Sequence, residues 1–125
     1  MRTPRPEEAA RAQSFLPLTP NFFEILLTLA QGEAHGYAIM RQVEERTHGA
    51  VRLLPGTMYR AFYRLEELGL IEEAEARPAP HLDDERRRYY RLTQLGREVA
   101  AAEAQRLAEA VRTARRSRLI PGQGS

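Results

Sequence analysis

Eight side chains in this chain have the types and the spacing for gripping a polyanion: Thr57, Tyr59, Arg60, Tyr63 and Arg64 fall within PGTMYRAFYRLEELGL, and Arg86, Arg87 and Arg88 follow across a polar gap. Their chemistry is non-covalent. Guanidinium groups donate paired hydrogen bonds to phosphate or to a guanine edge, and threonine or tyrosine hydroxyls reach phosphate oxygens. Other chemistries find little support. His35, His48 and His81 lack the spacing that puts two metal ligands on one face, and there is no glycine-rich phosphate loop. The acid pairs Glu44–Glu45, Glu66–Glu67 and Glu72–Glu73 are adjacent in sequence, so they diverge on a helix or strand. Cysteine is absent, which removes disulfides, thiolate metal sites and cysteine catalysis. No enzyme, no metal site and no cofactor is expected.

The five leading residues need a helix to display them. Pro55 has the fixed φ suited to a helix start, and Gly56 and Thr57 follow without bulk, leaving the first amides open to an anion. Met58, Phe62, Leu65 and Leu68 recur at i, i+4, i+7 and i+10 and form one apolar stripe facing a core. Thr57, Arg60, Arg64 and Glu67 line the opposite face, with Tyr59 and Tyr63 along its margin, and Gly69 ends the helix. Such a helix suits a DNA major groove, where arginine reads guanine. A solvated helix face is the bland alternative, and the next segment bears on the choice. Leu70–Ala74 and Arg87–Leu92 read as short strands flanking RPAPHLDDE, whose two prolines and three consecutive acids make Arg77 to Glu85 the exposed loop of a hairpin. Arg86, Arg87 and Arg88 then sit where the hairpin returns, able to reach a phosphate backbone or a minor groove. Asp83, Asp84 and Glu85 directly before them could instead neutralise them. Eight arginines face eight acids between Arg52 and Leu92, so DNA binding here depends on how charge is placed rather than on its amount.

The rest of the chain supplies a core and a partner surface. Thr19–Pro20 forms an N-cap and first helical position ahead of the apolar run Phe22 to Ala30, closed by Gly32. Gly36 to Thr47 forms a second, amphipathic helix, with Ile39, Met40 and Val43 on one side and Arg41, Glu44, Glu45 and Arg46 on the other. Two helices, the third helix and a two-stranded wing give an α+β, mostly helical winged helix-turn-helix domain over residues 16–92. Residues 1–15 are expected to be a loose arm that becomes partly helical, and 119–125 a disordered tail. From Thr93 to Arg118 the chain is rich in helix formers, and at about 1.5 Å per residue the helix is longer than the domain can cover by itself. Ala100, Ala104, Leu107, Val111 and Ala114 step by 4, 3, 4 and 3, a seam of small and apolar residues that a second copy would cover. A single amphipathic helix folded back on its own domain is the alternative. The terminal arginines, Arg112, Arg115, Arg116 and Arg118, suit the negative end of the helix dipole.

Composition adds bounds. All nineteen basic residues are arginine, the net charge is +2 and the pI is near 9.4, which is compatible with a nucleic-acid partner and compels none. No run is long enough to span a membrane and the N-terminus is polar and proline-punctuated, so a cytoplasmic location is expected.

Three strings together, HGYAI at His35 to Ile39, LPGTMYRAFYRLEELGLI at Leu54 to Ile71, and RRRYYRLT at Arg86 to Thr93, make the chain resemble the PadR family of transcriptional regulators. The resemblance runs from about Leu16 to Arg97. It implies a winged-helix homodimer that binds a palindromic site on double-stranded DNA, usually as a repressor and sometimes released by a small-molecule effector. The length is similar to that of the shorter members, which have a single C-terminal helix. Met58 and Phe62 depart from the commoner leucine and smaller aliphatic residue, and both stay apolar. Two further classes stay open: a winged helix turned protein-interaction module, suggested by the zero net charge of the winged region, and a ligand sensor whose cleft Phe15, Phe22 and Phe23 would line.

Overall fold

The fold follows from where the chain caps its helices. In the computed structural model, which describes residues 5–74 and 88–121, three of the longer helices begin at a side chain that takes up a free amide. The Thr19 hydroxyl accepts from the Phe22 amide at 3.2 Å and opens α2, Pro20–Leu29. His35 caps α3, Gly36–Arg46, its Nδ1 accepting from the Ala38 amide at 3.1 Å. The Thr93 hydroxyl accepts from the Gly96 amide at 2.9 Å to open α5, Gln94–Arg116, and donates to the Gly69 carbonyl at 2.6 Å. The fourth, α4 at Pro55–Glu67, begins at Leu54 with no side-chain cap.

Before these comes α1, Pro6–Gln13, within the stretch where an arm that becomes partly helical is expected from the sequence. The Glu8 carboxylate accepts from the Arg5 amide at 2.9 Å, and Ala12 is buried in the core against α5. A short amphipathic segment becomes a helix here because a neighbour exists to cover Ala12. The sheet also has one strand more than the two-stranded wing expected. β1, Ala34–His35, pairs antiparallel with β3, Tyr89–Leu92, which pairs on its other side with β2, Ile71–Glu73, giving the order β1-β3-β2. Ala34 faces Tyr90, Ile71 faces Leu92 and Glu73 faces Tyr90. A two-residue strand has no alternation to betray it in a sequence. The loop expected at Arg77 to Glu85, and Arg86 and Arg87 after it, lie outside the described residues.

One core joins all these elements. Ile25, Leu26 and Leu29 of α2, Ile39 and Val43 of α3, Met58, Phe62 and Leu65 of α4, Leu70, Ile71, Tyr90 and Val99 are each buried. Phe62 packs on Tyr90 with ring centroids 4.7 Å apart, fixing α4 to the sheet. Arg46 ties α3 to α2, donating to the Glu24 carboxylate at 2.8 Å and to the Thr28 hydroxyl at 2.9 Å.

The first half of α5 belongs to this core and does not stand apart at residue 93. Gly96, Val99, Ala100 and Glu103 are buried. Gly96 makes the approach possible, since a Cβ there would lie 1.9 Å from the Leu70 carbonyl oxygen. Buried Glu103 accepts from the Leu18 amide at 2.9 Å and from Arg106 Nε at 2.5 Å, pinning the segment between α1 and α2 to α5. The Arg106 hydrogen bonds hold its carboxyl below the usual carboxylate range against the opposing effect of burial, with the Leu18 amide adding to the lowering.

Candidate nucleic-acid interface

α4 buries one face and presents the other. Met58, Ala61, Phe62 and Leu65 point into the core, while Gly56, Arg60, Tyr63 and Glu67, at i, i+4, i+7 and i+11, are exposed in a row on the far side. The five expected contact residues therefore divide. Arg60, Tyr63 and Arg64 are exposed, with Tyr63 in the middle of the outward face rather than at its margin. Thr57 and Tyr59 are half-buried, and the Tyr59 ring meets Phe62 edge-on with centroids 5.8 Å apart. For Tyr59 the reason lies in α3. Gly36 sits against the same aromatic pair, where a Cβ would lie 3.1 Å from Phe62 Cε2 and 3.5 Å from Tyr59 Cε1, so α3 starts in contact with α4 and covers that side of it.

Charge around the helix is mostly compensated. Arg64 pairs with Glu67 at 3.3 Å, Arg52 with Glu44 at 3.7 Å and Arg41 with Glu45 at 3.8 Å. Arg60 is in no ion pair among the described residues, and its Nη2 donates only to the Thr57 hydroxyl at 3.4 Å. That bond folds the guanidinium back over the first turn of α4, at the helix end open to solvent.

At the foot of the wing, Arg88 is exposed and lies 3.8 Å from the Glu73 carboxylate. It is also close enough to Glu66 and Tyr90 to act on both. Burial and then the Glu73 charge raise the Glu66 pKa, while Arg88 pulls it back. Burial, with Glu66 next, pushes the Tyr90 hydroxyl up to about 12. Arg91 bridges Glu72 at 2.9 Å and Glu33 at 3.7 Å, linking β3 to the β2 strand and to the turn before β1. Of the arginine triplet, only Arg88 falls within the described residues.

The seam expected along α5 also divides. Ala100 is buried in the protomer's own core, whereas Ala104, Leu107 and Val111 are exposed and Ala114 is half-exposed. The open stripe thus begins after Glu103. Between α1 and α5 runs a groove of about 710 Å³ lined by Ala9, Ala12 and Ala101 together with Glu8, Arg97 and Glu98. Of Phe15, Phe22 and Phe23, expected to line a ligand cleft, all three are half-buried and the first two pack against the core. His35, which carried no role in the sequence reading, caps α3 and meets Tyr89 edge-on at 5.3 Å, joining the helix pair to the sheet. Glu103 was likewise missed, being one glutamate among many in a polar helix. No cluster of metal-ligating side chains occurs among the described residues, and no helix among them is long and apolar enough to cross a membrane.

Comparison with known proteins agrees with this geometry. The sequence pattern of the Transcriptional regulator PadR-like family matches residues 25–102. A PadR family transcription regulator from Clostridium difficile is 28% identical, covers 78% of this chain and 97% of its own, and superposes with a TM-score of 0.64. A PadR-like transcriptional regulator from Bacillus cereus covers 91% of this chain and 99% of its own with a TM-score of 0.64; at 21% identity it shows the shared fold. An uncharacterized 37.1 kDa protein in a transposon of Streptomyces fradiae is 37% identical over 84 residues, 67% of this chain. An uncharacterized protein X of Lysinibacillus sphaericus is 33% identical over 73 residues, 58% of this chain. The matched regions span 22% and 64% of those two relatives' own lengths.

Proposed function

Because this chain belongs to the PadR-like family of transcriptional regulators, whose members bind DNA and are not enzymes, we propose that it acts in the cytoplasm as a homodimeric repressor on an inverted-repeat operator. α4 enters the major groove, where Arg60 reads base edges and Tyr63 and Arg64 bind alongside, with Thr57 and Tyr59 behind them. Arg86, Arg87 and Arg88 hold the backbone from the wing. The dimer forms along α5 through Ala104, Leu107, Val111 and Ala114, with Ala100 supporting the seam from the core. A small-molecule effector that releases DNA would act through the same helices.

The observation that carries this reading is the uncovered outward face of α4, with Arg60 free of any ion pair among the described residues. The Leu107 and Val111 side chains, 36% and 40% exposed along one stripe, support the dimer. If a two-fold axis relates the paired α5 helices, both copies of α4 face one side of the duplex, with half-sites about 34–36 Å apart. The test is a mobility-shift titration on the promoter of the protein's own operon over a salt series. Sequence-selective binding that weakens steeply with salt supports the reading. Salt-insensitive capture of a protein, with no DNA shift, would favour an interaction module.

A further inference from the structure

We propose that Leu54 is a specificity-determining residue that reads thymine, packing its side chain against the C5-methyl group of a base in the major groove. The proposal rests on the reading that α4 is the groove-entering helix, and names one base class it selects. Helix N-caps favour serine, threonine, aspartate and asparagine, whose side chains take up a free amide. α2, α3 and α5 follow a side-chain capping pattern with Thr19, His35 and Thr93. α4 has Leu54 there, with no cap and with 63% of its surface exposed. Leu53, immediately before it, is 2% exposed and fills the core, so the core gains nothing from the second leucine. Leu54 thus gives α4 no side-chain cap and leaves most of its own apolar surface uncovered.

Its position supplies one. The first turn of a groove-bound helix is the part that meets base edges. Of the groups displayed in the major groove, the thymine methyl is the apolar one. Arg60 lies over the same turn, hydrogen-bonded to Thr57 and with Nη1 3.6 Å from where a Gly56 Cβ would stand. Leu54 and Arg60 therefore bracket one helix end, an apolar contact beside a paired donor, which selects a thymine close to a guanine in each half-site.

The experiment begins by selecting an operator from a random duplex pool with the full-length protein. Each thymine in that operator is then replaced by deoxyuridine, which removes the methyl and leaves the hydrogen-bonding edge intact. Affinities are measured by fluorescence anisotropy for the wild type and for Leu54→Ser, and both proteins are melted. In the wild type, one thymine per half-site should cost about fourfold when its methyl is lost, and roughly 15-fold when both half-sites are changed. Leu54→Ser should be indifferent to that replacement and melt at the same or a higher temperature, since serine can cap α4. Wild-type indifference at every thymine overturns the proposal, as does a uracil penalty that persists in Leu54→Ser. A lower melting temperature for Leu54→Ser also overturns it, by showing that Leu54 is packed. Failure of the wild type to select any sequence would overturn the DNA-recognition reading itself, an outcome distinct from these three.

Discussion

α4 and α5 both carry an apolar stripe along one side, and they spend the remaining surface in opposite ways. α4 buries its whole stripe, from Met58 to Leu65, and turns Arg60, Tyr63 and Arg64 outward. α5 buries its stripe only as far as Glu103, and beyond it Leu107 and Val111 stay open with no polar face between them and solvent. The first helix is complete within the protomer and displays groups suited to a polyanion. The second is half complete, and what it displays suits another apolar surface. Polar groups on the outside of a filled helix and apolar groups on the outside of an unfilled one ask for different partners, and the two faces are tested separately below.

The strongest test of the comparison is whether α5 docks as closely as Gly96 suggests. A methyl group there would overlap the Leu70 carbonyl oxygen, which α5 cannot avoid without lifting from the sheet. Gly96→Ala should cost roughly 3–5 kcal/mol, even though alanine is intrinsically the better helix former. Urea denaturation measures this directly. A variant as stable as the wild type would mean that the covered half of α5 is not anchored at Leu70.

The open half answers to a different change. Replacing Leu107 and Val111 together by aspartate should leave the protomer folded and separate the dimer. Burying two such side chains is worth at least ~3 kcal/mol, so the dimer dissociation constant should rise by about 100-fold or more. Light scattering at micromolar concentration reads the outcome, with circular dichroism as the check on folding. A dimer that survives both charges would move the interface elsewhere. On α4, Arg60→Ala should leave folding and dimerisation unchanged and cost about 1–3 kcal/mol on the selected operator, with little effect on random DNA. Arg88→Ala should weaken both and lower the salt slope by about one unit. The reversed pattern would exchange the roles of helix and wing.

Much of this contrast was legible before the structure. Met58, Phe62 and Leu65 keep helical spacing over a full helix, and Pro55 and Gly69 mark its ends, so α4 and its buried side could be read from periodicity and stop signals. Thr19 and Thr93 announced their helices in the same way. Three features were not legible, for separate physical reasons. β1 is two residues long, below the length at which alternation exists. The burial of Ala100 and the exposure of Ala104 depend on where α5 leaves the domain, and one seam of identical residue types runs through both. Tyr59 and Tyr63 look alike in sequence, yet the contact of α3 at Gly36 half-buries one and leaves the other 66% exposed.

The smallest effect is at the boundary between the two halves of α5. Glu103 is buried there, and its carboxylate holds the Leu18 amide and Arg106. Because Arg106 and the Leu18 amide keep its folded-state pKa below the ordinary value of 4.5, the ionised form is the one the fold favours. The stability it contributes is then fully present above about pH 4.5 and is lost as pH falls through the lower folded-state value. Glu103→Gln keeps the shape and removes the charge, and should cost about 1–2 kcal/mol at neutral pH, the magnitude of a charge-assisted hydrogen bond. The gap between wild type and variant should narrow as melts are taken from pH 6 down toward about pH 3, since the wild type loses there what the variant never had. A gap that stays constant or widens toward acid would show that Glu103 is not the clasp, and that the covered half of α5 ends for some reason other than this ion pair.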